Sequence, residues 1–351
     1  MKRHRLRAGD RVIVRSPEEI LSTLDNDGTL DGLPFMPEML DWCGKSFRVE
    51  RRVEKTCVEV TPPVPSTRRF AANDVVFLEG PRCGGHGHDE CKRACKIFWK
   101  EDWLQPLDSS DTSPHAGSTG VEGLLPRLKT KSDEDHYFCQ STQLCKATEA
   151  FPGKQKPWML RIVFREIRNG DRSVLEILKL VVLWSWQRLL RMVHGQQWLR
   201  GPHQRTPTVS LNLEPGEIVQ VKNRAQIVAT LDRLRRNRGL GICYEMTRCC
   251  GGEAEVRGRL DRVIDEKTGK MREVCNTVTL RNVRSKMTTL GDECLCFDVL
   301  GDCPRGELMH WREIWLERAT GAGVLRNSTK RANLALTSDA GVTRCNTLSN
   351  S

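Results

Sequence analysis

The residues best suited to chemistry are concentrated in one short, glycine-rich segment. Its cysteines and histidines are, in order, Cys83, His86, His88, Cys91 and Cys95. Thiolate and imidazole groups are the ligands that Zn²⁺ prefers in tetrahedral sites. The spacing Cys-x4-His-x2-Cys-x3-Cys lets one loop wrap around one ion, and it predicts a zinc site on Cys83, His88, Cys91 and Cys95. The alternative is a loop of free thiols and surface histidines.

Other cysteines compete for the role of ligand, because several recur in the two halves of the chain. Cys43, Cys57 and Cys91 correspond to Cys250, Cys275 and Cys303. Residues kept through a duplication are shared structural parts, so a second candidate site joins the first three of these with one further ligand. The second half also has Cys294 and Cys296, but it carries Glu307 where the first loop has Cys95. A second site there either has different ligands or is degenerate.

The cysteine usage as a whole favours a bound metal over disulfides. The chain has 15 cysteines, and its basic N-terminus is not followed by the apolar segment of an export signal. Reduced thiols in a cytoplasm are therefore expected. Zinc is the first choice of cofactor, because it accepts thiolate and imidazole together and needs no redox partner, and an Fe–S cluster is the less favoured one. The chain contains no Cys-x2-Cys pair, which removes the commonest zinc-ribbon, ferredoxin and thioredoxin signatures. The vicinal pair Cys249-Cys250 is either redox-active or a core thiol beside a ligand.

The strands and helices that position the cysteines and histidines belong to an internal repeat. Residues 9–44 align without a gap with residues 216–251 and are identical at 13 of 36 positions. The two halves end on related segments, Trp99-Lys-Glu-Asp-Trp103 and Trp311-Arg-Glu-Ile-Trp315. Tryptophans at this spacing usually pack in a core, and a platform for a sugar or a base is the less favoured alternative. A duplicated domain is the prediction.

Each repeat reads as a small β-rich domain. The alternation in residues 9–15 predicts a strand, and Ser16 before Pro17 predicts the start of a helix over 17–24. Further strands are expected over 44–53 and 74–78, and a hairpin turn over 265–269. The layout Gly-Asp-x-Val-x-Val followed by Gly-x-x-Phe-x-Val resembles the opening hairpins of SH3-like barrels, as in ribosome-associated domains and the β subunit of nitrile hydratase.

The predicted fold class is therefore α+β, with two repeated SH3-like β-barrels flanking a helical middle. Helices are expected over 140–148 and 171–193, the latter packed against the repeats. It contains Glu176, Lys179, Arg188 and Arg191, so a transmembrane segment is not expected. The predicted divisions are a first repeat, a linker, a helical middle, a second linker, a second repeat and a disordered tail, at residues 1–106, 107–125, 126–200, 201–212, 213–318 and 319–351.

The charge of the chain gives little support to a nucleic-acid function. The net charge is +11, but each repeat is nearly balanced, and the excess lies in the middle and the tail. The one dense basic run is Arg233-Leu-Arg-Arg-Asn-Arg238. Proteins dedicated to nucleic acids usually gather their charge on one face.

Several motifs together resemble a family of uncharacterised bacterial proteins, whose members are often found near polysaccharide or natural-product biosynthesis genes. The matching segments are residues 32–39, 55–57, 83–95, 97–104 and 138–144, which read GLPFMPEM, KTC, the Cys/His loop, IFWKEDWL and FCQSTQL. The resemblance covers most of residues 7–320. It implies a cytoplasmic bacterial protein and no known activity or catalytic residue.

Three functions follow as hypotheses. The chain carries no Walker loop, dinucleotide fingerprint, nucleophile elbow or His-Glu-x-x-His helix. The leading hypothesis is a metal-stabilised, non-catalytic binding or accessory protein for a protein or polymer partner. The second is an enzyme with an open position on its zinc, with His86 as proton carrier. The third is a nucleic-acid-binding protein that uses Arg233, Arg235, Arg236 and Arg238.

Overall fold

The computed structural model describes most of the chain. The described residues are 5–58, 67–107, 125–150, 157–194, 199–242, 245–284, 295–296, 301–302 and 305–319. Contacts divide the chain into two units. The first comprises Met1–Arg188, Ile264–Met271 and Leu295–Glu307, and the second comprises Leu189–Val263, Arg272–Cys294 and Leu308–Ser351. The structure mixes strands with short helices, so the predicted α+β class is correct.

The first unit is organised around a five-stranded antiparallel sheet. The strands of the first half are β1 Arg11–Val14, β2 Thr29–Leu30, β3 Leu33–Pro34, β4 Ser46–Arg52, β5 Thr56–Cys57, β6 Thr67–Arg69, β7 Val75–Leu78, β8 Trp99–Lys100, β9 Leu104–Pro106 and β10 Glu149–Ala150. The main sheet has the order β8-β7-β4-β1-β9, and β10-β6-β5 form a smaller one. Val12 pairs with Phe47 on β4, and Val14 pairs with Leu104 on β9. The strand predicted from the alternating residues of segment 9–15 is therefore confirmed.

The second unit contains a sheet with the corresponding order, β20-β17-β14-β11-β21. The strands of the second half are β11 Ile218–Val221, β12 Arg236–Asn237, β13 Leu240–Gly241, β14 Glu253–Arg259, β15 Arg262–Ile264, β16 Met271–Glu273, β17 Thr277–Arg284, β18 Leu295–Cys296, β19 Gly301–Asp302, β20 His310–Arg312 and β21 Leu316–Arg318. Strands β15 and β16 form the hairpin expected at residues 265–269, and its tip, Ile264–Met271, belongs to the first unit.

Five α-helices are described, most of them short. They are α1 Pro17–Leu21, α2 Gln140–Gln143, α3 Pro157–Arg168, α4 Val174–His194 and α5 Arg224–Val228. Helix α1 begins as predicted, because the Ser16 hydroxyl accepts the Glu19 N–H and the Glu19 carboxylate accepts the Ser16 N–H. Helix α2 is shorter than the helix predicted over 140–148.

The four repeated tryptophans lie in the cores, which confirms the packing role expected for them. Trp99, Trp103, Trp311 and Trp315 are all fully buried. The Trp103 indole N–H donates to the Thr23 hydroxyl (3.2 Å). The Trp315 indole N–H donates to the Thr230 hydroxyl (3.0 Å). In each unit, therefore, the N–H of one buried indole donates a hydrogen bond to a threonine hydroxyl.

The glutamate between each pair of tryptophans binds the backbone that leads into the first strand of its sheet. Glu313 is fully buried and accepts the N–H groups of residues 211, 212 and 213, together with a guanidinium N–H of Arg259 (2.9 Å). Glu101 accepts the Leu6 N–H (3.0 Å) and an N–H of the buried Arg52 (2.5 Å). A buried carboxylate is tolerated only when it is paired and hydrogen-bonded in this way.

A second buried polar network holds the turn between α3 and α4 in the first unit. Glu54 is almost fully buried and accepts an N–H of Asn169 (3.0 Å). Lys55 forms an ion pair with Glu166 on α3 (3.2 Å). The carboxylate of Asp171 accepts the backbone N–H of Arg52 (2.9 Å). The helical middle is therefore attached to the β4 end of the sheet by charged and amide groups.

Helix α4 differs from the prediction in its surroundings. It was expected to pack its apolar residues against the repeats, but Leu175 and Val182 are 70% and 67% exposed. No helix of the described residues combines the length and apolar character needed to cross a bilayer. The linker predicted over 107–125 and the tail predicted over 319–351 lie almost entirely outside the described residues.

We expect the substitution Glu313→Gln to destabilise the protein by about 2–4 kcal/mol, because it leaves the Arg259 guanidinium and three backbone N–H groups with a weaker acceptor. Urea unfolding followed by tryptophan fluorescence measures the effect. Glu317→Gln is the matched control, since Glu317 is exposed, and it should change stability little. Equal stability of the two variants would contradict the role assigned to Glu313.

A pH-dependent effect is expected from Asp171. Burial, reinforced by the carboxylates of Glu166 and Glu54, raises the pKa of Asp171 to about 6 despite the Arg52 N–H. The folded protein therefore binds more protons than the unfolded chain between about pH 4 and 6, and stability falls as the pH rises through that window.

The substitution Asp171→Asn keeps an oxygen acceptor and removes the charge. It should raise the free energy of unfolding at pH 7 by about 1 kcal/mol, a value that allows for the partial exposure of the side chain. It should also make the free energy of unfolding less dependent on pH between pH 4 and 6. Urea midpoints measured across that range test this. Asp41→Asn, at a side chain 62% exposed, is the control and should leave the pH dependence as in the unaltered protein.

Candidate functional site

The Cys83–Cys95 loop folds back on itself in the first unit. Its ends meet where Arg82 and Lys96 form an antiparallel bridge and the Cys83 N–H donates to the Cys95 carbonyl (2.9 Å). Gly85 has a φ of +75°, and a Cβ there would lie 2.0 Å from the Cys91 carbonyl oxygen. Glycine is therefore required for the loop to bring Cys91 back towards Cys83.

Four thiols line one small cavity of about 30 Å³ in this unit. Three come from the loop, and the fourth is Cys139, directly before α2; the set is Cys83, Cys91, Cys95 and Cys139. Cys91 and Cys139 are buried, and Cys83 and Cys95 are partly so. Helix α2 is held in place because the Gln140 amide N–H groups donate to the carbonyls of Pro34 (3.1 Å) and Phe98 (2.9 Å). The volume suits one ion or one or two waters.

Three of the four thiols of this cavity, those of Cys83, Cys95 and Cys139, have raised pKa values and favour the protonated form. Burial is the main cause that raises the pKa of Cys83, and Glu38 and the thiols of Cys95 and Cys139 add to it. Burial also raises the pKa of Cys95 to about 12, and it raises the pKa of Cys139. Buried neutral thiols are poor nucleophiles, because the thiolate is the reactive form.

An ion-pair cluster forms another wall of the cavity. Arg93 binds Glu307 (2.6 Å), and Arg305 pairs with both Glu266 and Glu307, the latter at 3.5 Å. Arg305 also donates to the Ser141 hydroxyl beside Cys139 (2.8 Å). Two guanidinium groups and two carboxylates balance each other here. This wall therefore orients the loop and α2 without adding net charge.

His88 borders the cavity, and both of its ring nitrogens are hydrogen-bonded elsewhere. Nδ1 donates to the buried Glu38 carboxylate (2.7 Å) and Nε2 to the Phe138 carbonyl (3.0 Å). Burial opposes the charge on the imidazole, but the Glu38 hydrogen bond and charge outweigh it and raise the pKa of His88. The residue predicted as a zinc ligand is thus a buried imidazolium that links the loop to Glu38 and to residue 138. His86 is exposed, 3.9 Å from Asp41.

The remaining predicted ligands lie apart from this cavity or outside the described residues. Cys43, Cys57 and Cys250 are partly buried, and burial raises the pKa of Cys43 to about 12. Cys275 is disulfide-bonded. Cys294 and Cys303 fall outside the described residues. Within the part of the chain that is described, no three His, Cys, Asp or Glu side chains converge closely enough to hold a metal ion as they stand.

Cys139 is the member of the cavity that the reasoning from sequence missed. It lies 44 positions after Cys95, so loop spacing gave no sign of it. The available signal was the run Cys139-Gln-Ser-Thr-Gln143, in which polar residues precede an apolar leucine. Gln140, Ser141 and Gln143 are buried, and buried polar groups must be hydrogen-bonded.

The arginines of the basic run occupy a tight turn in the second unit. Strands β12 and β13 form the hairpin, and Arg235 and Arg238 have φ values of +65° and +47°. The Arg238 carbonyl accepts an N–H of the buried Arg312 (2.8 Å). The backbone of this turn thus supplies a hydrogen-bond acceptor to a buried arginine. Nucleic-acid binding by the side chains of the turn stays a prediction.

No protein-family model, curated protein or solved structure matches this chain. The resemblance to duplicated, cysteine-rich bacterial proteins therefore stays an expectation.

We expect His88→Gln to lower the free energy of unfolding by about 2–4 kcal/mol, because it leaves Glu38 buried without its cation. Glu38→Gln should lower the free energy of unfolding by a similar amount, because it leaves the imidazolium of His88 buried without its carboxylate partner. His86→Gln is the matched control in the same loop, at a side chain 49% exposed, and should change little. Urea unfolding measures all three, and a large effect at His86 with none at His88 would overturn the assignment.

Proposed function

We propose that this protein is a non-catalytic binding or accessory protein whose first unit is stabilised by a metal ion on the thiolates of Cys83, Cys91, Cys95 and Cys139. The observation that carries the proposal is the cavity of about 30 Å³ that all four thiols line. Zinc is the preferred ion, because it takes four thiolates in a tetrahedral shell and needs no redox partner. An Fe–S cluster is the less favoured occupant.

A bound metal ion would have to displace the protons of these thiols. The raised pKa values of Cys83, Cys95 and Cys139 mean that these thiols resist ionisation in the empty cavity. A divalent ion would compensate the charge of the thiolates and release their protons. The side chains would rotate inwards on binding, since they do not yet converge on one point. Cys139 replaces His88 in the proposed ligand set because both His88 nitrogens are hydrogen-bonded.

A structural role for the metal is favoured over a catalytic one. Four protein ligands leave no open position for a water or a substrate, whereas catalytic zinc sites keep one. His88 has no ring nitrogen available to move a proton unless its bonds to Glu38 and the Phe138 carbonyl break. An enzyme with an open zinc position remains the alternative, and it predicts three thiolate ligands rather than four.

We also propose that the two sheets derive from one duplicated, SH3-like domain and act as two related binding surfaces for a protein or polymer partner. The identical strand order and the shared tryptophan–threonine hydrogen bond support the duplication. Two weak sites held in one chain gain avidity. The free thiols of Cys43, Cys83 and Cys145 favour a reducing, cytoplasmic setting, whereas the disulfide at Cys275 argues against it.

Metal content tests the proposal directly. Protein purified without a metal-affinity tag should contain one zinc ion per first unit by elemental analysis. Cobalt exchanged into the site should give the charge-transfer absorption of four thiolates. Cys95→Ser and Cys139→Ser should each lose most of the metal.

Cys145→Ser is the matched control, because Cys145 is an exposed free thiol outside the cavity, and it should keep the full metal content. Circular dichroism of each variant separates loss of the metal from loss of the fold. Protein that folds and contains no metal, or a Cys139→Ser variant that retains it, would refute the proposed site. A three-thiolate cobalt spectrum would favour the open-position enzyme.

A further inference from the structure

The first unit neutralises the buried cation that follows the first tryptophan of its repeat. Lys100 is almost fully buried, and its ammonium group forms ion pairs with Asp31 (2.7 Å) and Asp74 (3.1 Å). Asp31 lies in the turn between β2 and β3 with a φ of +52°, and Asp74 lies directly before β7. Two carboxylates therefore compensate one buried cation, as a charge removed from water requires.

The corresponding cation of the second unit is Arg312, and both partner positions have changed. The alignment of the repeats places Arg238 at the position of Asp31, with nearly the same backbone, at a φ of +47°. Asn276 replaces Asp74, because each supplies the carbonyl that accepts the N–H of the residue after the cation. One lysine and two aspartates give a net charge of −1 at these positions in the first unit, whereas two arginines and one asparagine give +2 in the second.

Arg312 is buried and has no anionic partner in the described part of the chain. Its guanidinium donates four hydrogen bonds, to three backbone carbonyls and to the Thr277 hydroxyl, with lengths from 2.8 Å to 3.2 Å. A guanidinium has five N–H groups, so one donor is left for a ligand. Burial, reinforced by the charge of Arg238, lowers the pKa of Arg312 to about 10. The pair of guanidinium groups therefore lacks the negative charge that the first unit supplies.

The surroundings of Arg238 provide further hydrogen-bond donors. Its side chain is partly exposed, and a positive φ favours Gly, Asn or Asp, so an arginine here goes against the preference of its backbone. The Thr206 hydroxyl accepts the Arg238 N–H (2.8 Å), and the Thr208 hydroxyl accepts an amide N–H of Asn276 (3.1 Å). Among the described residues, neither hydroxyl has an acceptor for its own O–H, which is available to an anion.

We propose that the second unit binds a phosphate monoester at Arg238 and Arg312, and that the phosphate supplies the negative charge that Asp31 and Asp74 supply in the first unit. A phosphate monoester carries a charge close to −2 at neutral pH, which balances the two guanidinium groups. Its oxygens match the fork of N–H donors on an arginine. A phosphodiester of a nucleic acid carries a single charge and is the less suitable ligand. The inference is independent of the proposed metal site, which lies in the first unit.

Phosphate binding by the full-length protein tests the proposal. Phenyl phosphate, titrated at neutral pH and followed by its phosphorus NMR signal, should bind saturably. Dimethyl phosphate, a diester, should bind at least ~10-fold more weakly, because it has one charge fewer for the two arginines. Inorganic phosphate, measured in parallel, distinguishes the sources of the group. Equal affinities would indicate the free anion and tighter binding of phenyl phosphate an organic ester, and both results support the site.

Arg238→Asp gives the second unit the residue that the first unit has at this position. It should lower the affinity for phenyl phosphate at least ~10-fold, because a donor is replaced by a repelling carboxylate. It should also raise the urea midpoint, since the new carboxylate can pair with Arg312 and aspartate tolerates a positive φ. Loss of binding would then not result from unfolding. Arg233→Asp is the matched control, the same change at an exposed side chain of the same basic run, and it should reduce the affinity only slightly.

Three results would overturn the proposal. The first is an unaltered protein that binds phenyl phosphate no better than dimethyl phosphate, because Arg312 would then need only its four uncharged acceptors. The second is an equal loss of affinity in Arg238→Asp and Arg233→Asp, because the charge of the whole run would then be responsible. The third is tighter binding of a single-stranded oligonucleotide without terminal phosphates, lost in both variants, which would identify the run as a nucleic-acid surface.

Discussion

The carboxylates of Glu101, which is partly buried, and Glu313, which is fully buried, connect the beginning and the end of each main sheet. Each lies in the turn before the last strand, β9 or β21, and accepts N–H groups from the segment that leads into the first strand, β1 or β11. Each also binds an arginine from the central strand, Arg52 or Arg259. A buried charge that lost these partners would cost several kcal/mol. In each unit this contact ties the segment that precedes the first strand to the turn that contains the two tryptophans.

Buried charged groups also hold the turn from which helix α4 begins. Glu54, Lys55 and Glu166 are almost fully buried and use one another and their neighbours as partners. The turn between α3 and α4 supplies several of these partners, so it is held by electrostatics and hydrogen bonds. Near this turn, the apolar side chains of Leu175, Leu178 and Val182 are exposed.

The thiol-lined cavity has a different character from the two charged networks. Its wall of Arg93, Arg305 and two glutamates is already neutral, and burial raises the pKa of the Cys83, Cys95 and Cys139 thiols. In the proposed metal site, a divalent ion would compensate the charge of each thiolate that forms. The hydrogen bonds of His88 to Glu38 and the Phe138 carbonyl keep the loop in place whether or not the cavity is occupied.

Local patterns in the sequence determined much of the secondary structure. Alternation at Val12 and Val14, the capping residue Ser16 and the tryptophan pairs predicted the first strand, the first helix and the core correctly, since each acts through neighbours within a few positions. Tertiary structure decided the pairing of His88 with Glu38, fifty positions earlier, and the placing of Cys139 beside the loop. It also decided that polar groups hold the N-terminal end of α4, where Leu175, Leu178 and Val182 are exposed. Contacts between residues so far apart in the chain leave no periodic trace in the sequence, because which of several compatible partners a side chain meets is settled only when the whole unit packs.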